Sequence, residues 1–218
     1  MRRVIVTAVL FLVPSLCSAQ VSRGYISGAG GFASTVDGSS GDVLAEAGVR
    51  VMPNLYIVGD VGKFHNVAPS LFQPGADATT SDFAASGLSV TGTAVAPAWY
   101  STGGVRYEIP VGSRRFVPYA TASAGVAHVM PSDSFTYSSG TLLGASPSPG
   151  DDVTSQLVSM GEFAQPAATN AFMFTTGAGV SVPVAPHLAV DVGYRVSRIA
   201  TDTPVTAQSV TFGIGYRF

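Results

Sequence analysis

Apolar side chains recur at every second position along the last ten residues: Val210, Phe212, Ile214, Tyr216 and Phe218 alternate with Thr211, Gly213, Gly215 and Arg217. A period of two puts one set on each face of a β-strand. The same alternation appears earlier. Val43, Ala45, Ala47, Val49 and Val51 share a face opposite Glu46, Gly48 and Arg50. Val105, Tyr107 and Ile109 stand opposite Arg106 and Glu108, and Leu188, Val190, Val192, Tyr194 and Val196 oppose Asp191, Gly193 and Arg195. Charge is confined to the face away from the apolar stripe.

Eight segments carry strand character: Arg23 to Phe32, Asp42 to Val51, Leu55 to Phe64, Ala98 to Ile109, Phe116 to Val129, Ala171 to Val182, His187 to Arg198 and Val205 to Phe218. Three connections are tight turns, at Met52–Asn54, Pro110–Arg115 and Pro183–Pro186. The others, Ala33 to Gly41, His65 to Pro97, Met130 to Asn170 and Ile199 to Pro204, are rich in Gly, Ser, Thr, Pro and Asp. Short turns at one rim and longer loops at the other predict an all-β fold, an eight-stranded antiparallel up-and-down transmembrane β-barrel. An even strand number returns both termini to the turn side. The two longest loops carry apolar residues, among them Phe72, Phe83, Leu88, Phe135, Tyr137, Leu142, Leu143, Leu157 and Phe163. They fold either as a cap or as extensions of the strands, and a hairpin arm at Val153 to Phe163 raises the strand count to ten.

Composition narrows the solvent. The chain is 46% hydrophobic and 11% charged, against roughly 25% charged in soluble domains, and its mean hydropathy is positive. Yet after residue 19 no stretch holds the run of about 18 apolar residues that a spanning helix needs. In lipid every backbone donor and acceptor must be satisfied internally, which leaves a closed sheet. Residues 1–19 have the organisation of a secretory signal: Arg2 and Arg3, an apolar run from Val4 to Leu16, and Cys17-Ser18-Ala19 at the cleavage positions. The mature chain, residues 20–218, then begins near Gln20 as one barrel domain. Cys17, the only cysteine, leaves with the signal, so no disulfide or thiolate chemistry is expected.

The inward charges are the candidate site residues. Glu46, Asp60, Glu108 and Asp191 face Arg50, Arg106, Arg195 and Arg217. An eight-stranded barrel is just wide enough for side chains to fill, so these eight predict a paired network that plugs the lumen. The alternative is a narrow path for ions or small solutes. Glycines at 28, 30, 31, 125, 177 and 179 mark bends and close backbone approach in a tightly curved sheet.

Phe174-Thr175-Thr176-Gly177-Ala178-Gly179-Val180-Ser181, Leu188 to Arg195, the strand Val210 to Phe218, and Pro118 to Gly125 resemble the small outer-membrane β-barrel family that includes the opacity-protein and OmpA/OmpX-like barrels. The resemblance implies eight antiparallel strands and function carried by variable loops. It also implies insertion by the outer-membrane assembly machinery, which reads a terminal strand marked here by Phe212, Ile214, Tyr216 and Phe218. The expected location is the outer membrane of a Gram-negative-type bacterium, in contact with lipid bilayer and lipopolysaccharide.

Catalytic, cofactor and metal residues are expected to be none. His65, His128 and His187 lack Ser, Cys, Asp, Glu or His two residues away, where a strand neighbour on the same face sits. A cross-loop triad of His65 or His128 with Ser132 and Asp133 is the remaining enzymatic option, acting on outer-leaflet lipid. Gly28-Ala29-Gly30-Gly31-Phe32-Ala33 superficially matches a dinucleotide fingerprint but lacks the following helix. Asp37, Asp77, Asp82, Asp133, Asp151, Asp152, Glu162 and Asp202 fall in or beside the loops. That acidic face suits solubility, cation bridging to lipopolysaccharide or a basic extracellular partner. Without Arg2 and Arg3 the chain holds 9 basic against 13 acidic residues, which disfavours nucleic acid.

Overall fold

A computed structural model describes residues 24–35, 38–67, 69–111, 116–142 and 146–218. The expected signal segment with Cys17, together with Gln20, Arg23, Asp37, Leu143 and residues 112–115 of the Pro110–Arg115 turn, lies outside the described residues. The strands among the described residues are β1 (Gly24–Thr35), β2 (Gly38–Met52), β3 (Leu55–Phe64), β4 (Leu88–Val95), β5 (Ala98–Glu108), β6 (Val117–Val129), β7 (Ser132–Gly140), β8 (Thr169–Pro183), β9 (Leu188–Ala200) and β10 (Val205–Arg217). All but β4 and β7 close a barrel, pairing antiparallel in the order β1-β10-β9-β8-β6-β5-β3-β2. The seam joins first strand to last, from Tyr25 opposite Arg217 to Thr35 opposite Ala207. Gly24 and Phe218 finish it by exchanging N–H···O bonds of 3.0 Å in both directions. A closed sheet leaves no unpaired edge for lipid to meet.

The barrel is inside out relative to a soluble one. Along β10, Ser209 and Thr211 are buried while Phe212 and Ile214 are 57% and 64% exposed. Val190 and Val192 on β9 and Ile57 and Val61 on β3 are likewise outward. So broad an apolar belt on a water-facing protein would aggregate; against acyl chains it is the stable arrangement. Outward polar groups are few, and Tyr194 satisfies one by donating to Gln208 at 2.6 Å.

The strand spans expected from alternation are present with small shifts, and three loops differ. The stretch from Ala33 to Gly41 is mostly strand, because β1 runs to Thr35 and β2 starts at Gly38. Residues expected to be loop from His65 to Pro97 form α1 (Pro69–Ala85) and β4, and β7 follows β6. β4 pairs with β7 from Leu88 opposite Gly140 to Val95 opposite Ser132. Since β4 runs into β5 through Ala96-Pro97 and β6 into β7 through Met130-Pro131, the pair extends the β5/β6 hairpin beyond the barrel. Met130 N donating to Pro97 O at 2.9 Å joins the two storeys. The hairpin arm expected at Val153–Phe163 is instead the short helix α2 (Thr154–Ser159). Val153 and Leu157, one helical turn apart, both bury beside Phe135, so the helix brings together two side chains that a strand would hold about 13 Å apart on one face.

Two glutamines protect the edges of this small sheet. Gln73 of α1 donates to Gly92 O at 2.9 Å and accepts from Ala94 N at 3.0 Å. Gln165 does the same on β7, accepting from Asp133 N at 3.0 Å and donating to Asp133 O at 2.7 Å. Each side-chain amide stands in for a neighbouring strand and removes a template for pairing with another chain. Phe83, Leu88, Val90, Phe135, Leu142, Val153 and Leu157 fill the core between the sheet and its two helices.

Candidate functional site

The lumen is layered. Next to the loop rim it is apolar, with Leu44, Phe64, Tyr100, Met173, Ile199 and Ala207 buried together. The middle is charged. Arg106 of β5 donates through Nη1 to Glu46 at 3.2 Å and through Nη2 to Asp191 at 3.0 Å. Arg195 of β9 reaches the other Glu46 oxygen at 2.5 Å and Asp60 at 3.4 Å. Asp60–Arg195–Glu46–Arg106–Asp191 is therefore one chain of alternating sign, drawn from β3, β9, β2 and β5. Glu46 and Asp60 stand directly opposite each other on β2 and β3, and without Arg195 between them they would repel.

Neutral groups complete the layer. Thr102 donates to Asp60 at 3.0 Å, and Tyr25 donates to Glu46. The Arg106 guanidinium lies 3.6 Å from the Tyr119 ring centroid and 4.9 Å from that of Tyr25. Its Nε has no hydrogen-bond partner among the described residues, and the two π faces cover it instead. The tyrosines fit because glycines face them: a Cβ on Gly48 would sit 2.3 Å from the Tyr25 ring, and one on Gly179 would sit 2.5 Å from the Tyr119 hydroxyl. About 20 Å³ of free space remains between Glu46, Arg106, Arg195 and Asp191, room for about one water.

At the turn rim Arg217 donates to Glu108 at 3.1 Å and to Ser181 at 2.9 Å. Arg50 has no carboxylate partner among the described residues; it donates to the Tyr56 hydroxyl at 3.0 Å. The eight charged residues expected inside are thus divided. Five form the central chain, Arg217 and Glu108 pair separately, and Arg50 reaches Glu108 only through the Tyr56 hydroxyl, which donates to it at 3.5 Å. Sequence reading missed Asp42, which is buried and accepts from Tyr100 at 3.3 Å, so the described lumen holds five acids to four arginines. Its even spacing from Glu46 was the available signal. The inward tyrosines Tyr56 and Tyr100 carried the same signal, lying at even spacing from Asp60 and Arg106, but the glycines that make room for Tyr25 and Tyr119 lie across the register.

His128 contacts Asn170 at 2.7 Å between Nδ1 and Oδ1, and no hydrogen bond joins it to Ser132 or Asp133 among the described residues. Burial pushes the Asp133 carboxyl above its ordinary range. Asp152 is held below it by hydrogen bonds from the Thr154 side chain and backbone. Among the described residues no group of His, Cys, Asp and Glu could hold a metal ion.

A closed antiparallel barrel with an apolar outer belt and a polar interior defines a membrane-spanning β-barrel. The chain belongs to the outer membrane protein beta-barrel domain family, whose model matches residues 4–218, and its location is the outer membrane. Its fold is similar to that of Neisserial surface protein A, with 19% identity, 90% of this chain and 97% of that one covered, and a TM-score of 0.51. It is also similar to a major outer membrane protein from Thermus thermophilus, with 12% identity, coverage of 89% and 99%, and a TM-score of 0.52. Ail of Yersinia pestis aligns at 14% identity, coverage of 90% and 97%, and a TM-score of 0.46. No curated protein matches the chain.

Proposed function

We propose that this protein is a closed outer-membrane barrel whose lumen is plugged by the Asp60–Arg195–Glu46–Arg106–Asp191 chain, and whose activity is surface interaction through the loop rim, without catalysis. The observation that carries the plug is the ion-pair chain itself, in which Arg106 and Arg195 meet Glu46 across the lumen at 3.2 and 2.5 Å and leave about 20 Å³ of free space among them. The apolar layer of Phe64, Tyr100, Met173 and Ile199 adds a second obstacle toward the loops. The loop rim is the outward face in this reading, touching lipopolysaccharide and offering its acidic surface to an extracellular partner. Residues 65–97, 130–170 and 201–204 contain Asp and Glu but neither Lys nor Arg.

Orientation is tested with single cysteines, which the mature chain otherwise lacks. Thr141→Cys and Thr203→Cys at the loop rim should react with a membrane-impermeant maleimide on intact cells, while Asn54→Cys and Ala185→Cys react only after the outer membrane is opened. The opposite pattern would place the acidic loops in the periplasm and remove the surface role.

A further inference from the structure

The loop rim holds a cavity of about 250 Å³. Leu71 and Phe72 from the first turn of α1 form one wall, and Pro166 and Ala167 ahead of β8 form another. Its floor includes Ile199 and Val129, both buried and continuous with the apolar layer of the upper lumen. A cavity at the wet end of a barrel would ordinarily be polar; this one has apolar walls and a floor of the same kind. Asp202, in the loop between β9 and β10, is the only charged residue in its lining among the described residues. Thr201, beside it, donates to Thr203 O at 2.5 Å, which closes a turn in this loop.

We propose that this cavity binds a small hydrophobic ammonium compound, with its apolar body against Phe72 and Ile199 and its cationic group at Asp202. Size and charge select the class. A cavity of about 150 Å³ holds benzene, so this one takes a bicyclic aromatic or a short alkyl chain. Loops that carry carboxylates and no Lys or Arg raise the local concentration of cations and repel anionic amphiphiles such as fatty acids. Because the central chain closes the lumen beneath it, the site is a cup entered from the loop side. Binding here does not depend on which side of the membrane the loops face.

The test is a titration of the barrel in lipid nanodiscs, carrying labelled Ile, Leu and Val methyl groups, with naphthylmethylammonium and, separately, with naphthoate. Saturable shifts confined to Ile199, Val205, Val129, Val67 and Leu71 are expected for the ammonium probe, with up to about fivefold weaker binding of naphthoate. Ala167→Trp, which fills the cavity, should abolish the saturable shifts; Thr203→Trp, from the other side of the opening, serves if the first variant loses its heat-dependent gel shift. Asp202→Asn should keep binding of the apolar body and lose the preference for ammonium. Shifts that grow linearly at all lipid-facing methyls would show partition into the bilayer alone and overturn the proposal. So would equal affinity for the two probes, or saturable binding that survives both tryptophan variants.

Discussion

Replacing Arg106 with Met should destabilise the barrel by about 3–5 kcal/mol, the range for removing one partner from a buried ion pair. Arg106 is 3% exposed and serves Glu46, Asp191 and two tyrosine rings at once. Its loss leaves Glu46, Asp60 and Asp191 with Arg195 alone in a space that admits about one water. Adding Glu46→Gln removes one of the uncompensated charges, so the double variant should be more stable than Arg106→Met. Urea unfolding from lipid vesicles, followed by the fluorescence of Trp99, the only tryptophan, measures both. Groups acting as a unit give non-additive losses. Strictly additive losses would show that Arg106 and Glu46 act independently, and the network would reduce to separate pairs.

Phe218→Ser should deplete the protein from the outer membrane far more than it weakens the folded barrel. The backbone bonds between Phe218 and Gly24 do not involve the ring, so the seam survives the substitution. The ring is 59% exposed on the lipid-facing side, so its loss should cost about 1.5–3 kcal/mol of the folded state. Recognition by the assembly machinery, in contrast, would read the row Phe212, Ile214, Tyr216 and Phe218 before the barrel exists. The comparison is between outer-membrane level in cells and unfolding free energy of barrel refolded in vitro. A fall in cells no greater than the stability loss explains would remove the recognition role from the terminal aromatic.

The barrel was legible because several of its strands obey one local rule, while β1 and β6 follow it only loosely. Lipid outside and a filled polar lumen inside enforce period-two alternation from end to end, as in β2, β9 and β10. Inward Glu46, Asp60, Arg106, Asp191 and Arg195 follow from the same parity. Which acid meets which arginine does not, since Arg195 reaches Asp60 across 135 positions of sequence and the stagger of the closed sheet sets their heights. The extension beyond the barrel was hidden for a different reason. α1 buries Ala76 and Phe83 on one face, too few apolar residues to show a helical period in a segment rich in Thr, Ser and Asp. β4 and β7 are held by side-chain amides from Gln73 and Gln165, long-range partners that no local pattern announces. Val153 and Leu157 read as strand residues because positions four apart share a face in a strand as well as on a helix.

Ion conductance in planar bilayers tests the closed lumen most directly. Barrel whose heat-dependent gel shift shows that it is folded should give no discrete current steps if the proposed Glu46, Arg106 and Arg195 plug closes the lumen. Arg106→Met combined with Arg195→Met, if it still closes, should begin to conduct. Steady single-channel steps from the unaltered protein would contradict the plug and assign the lumen charges to an ion pathway.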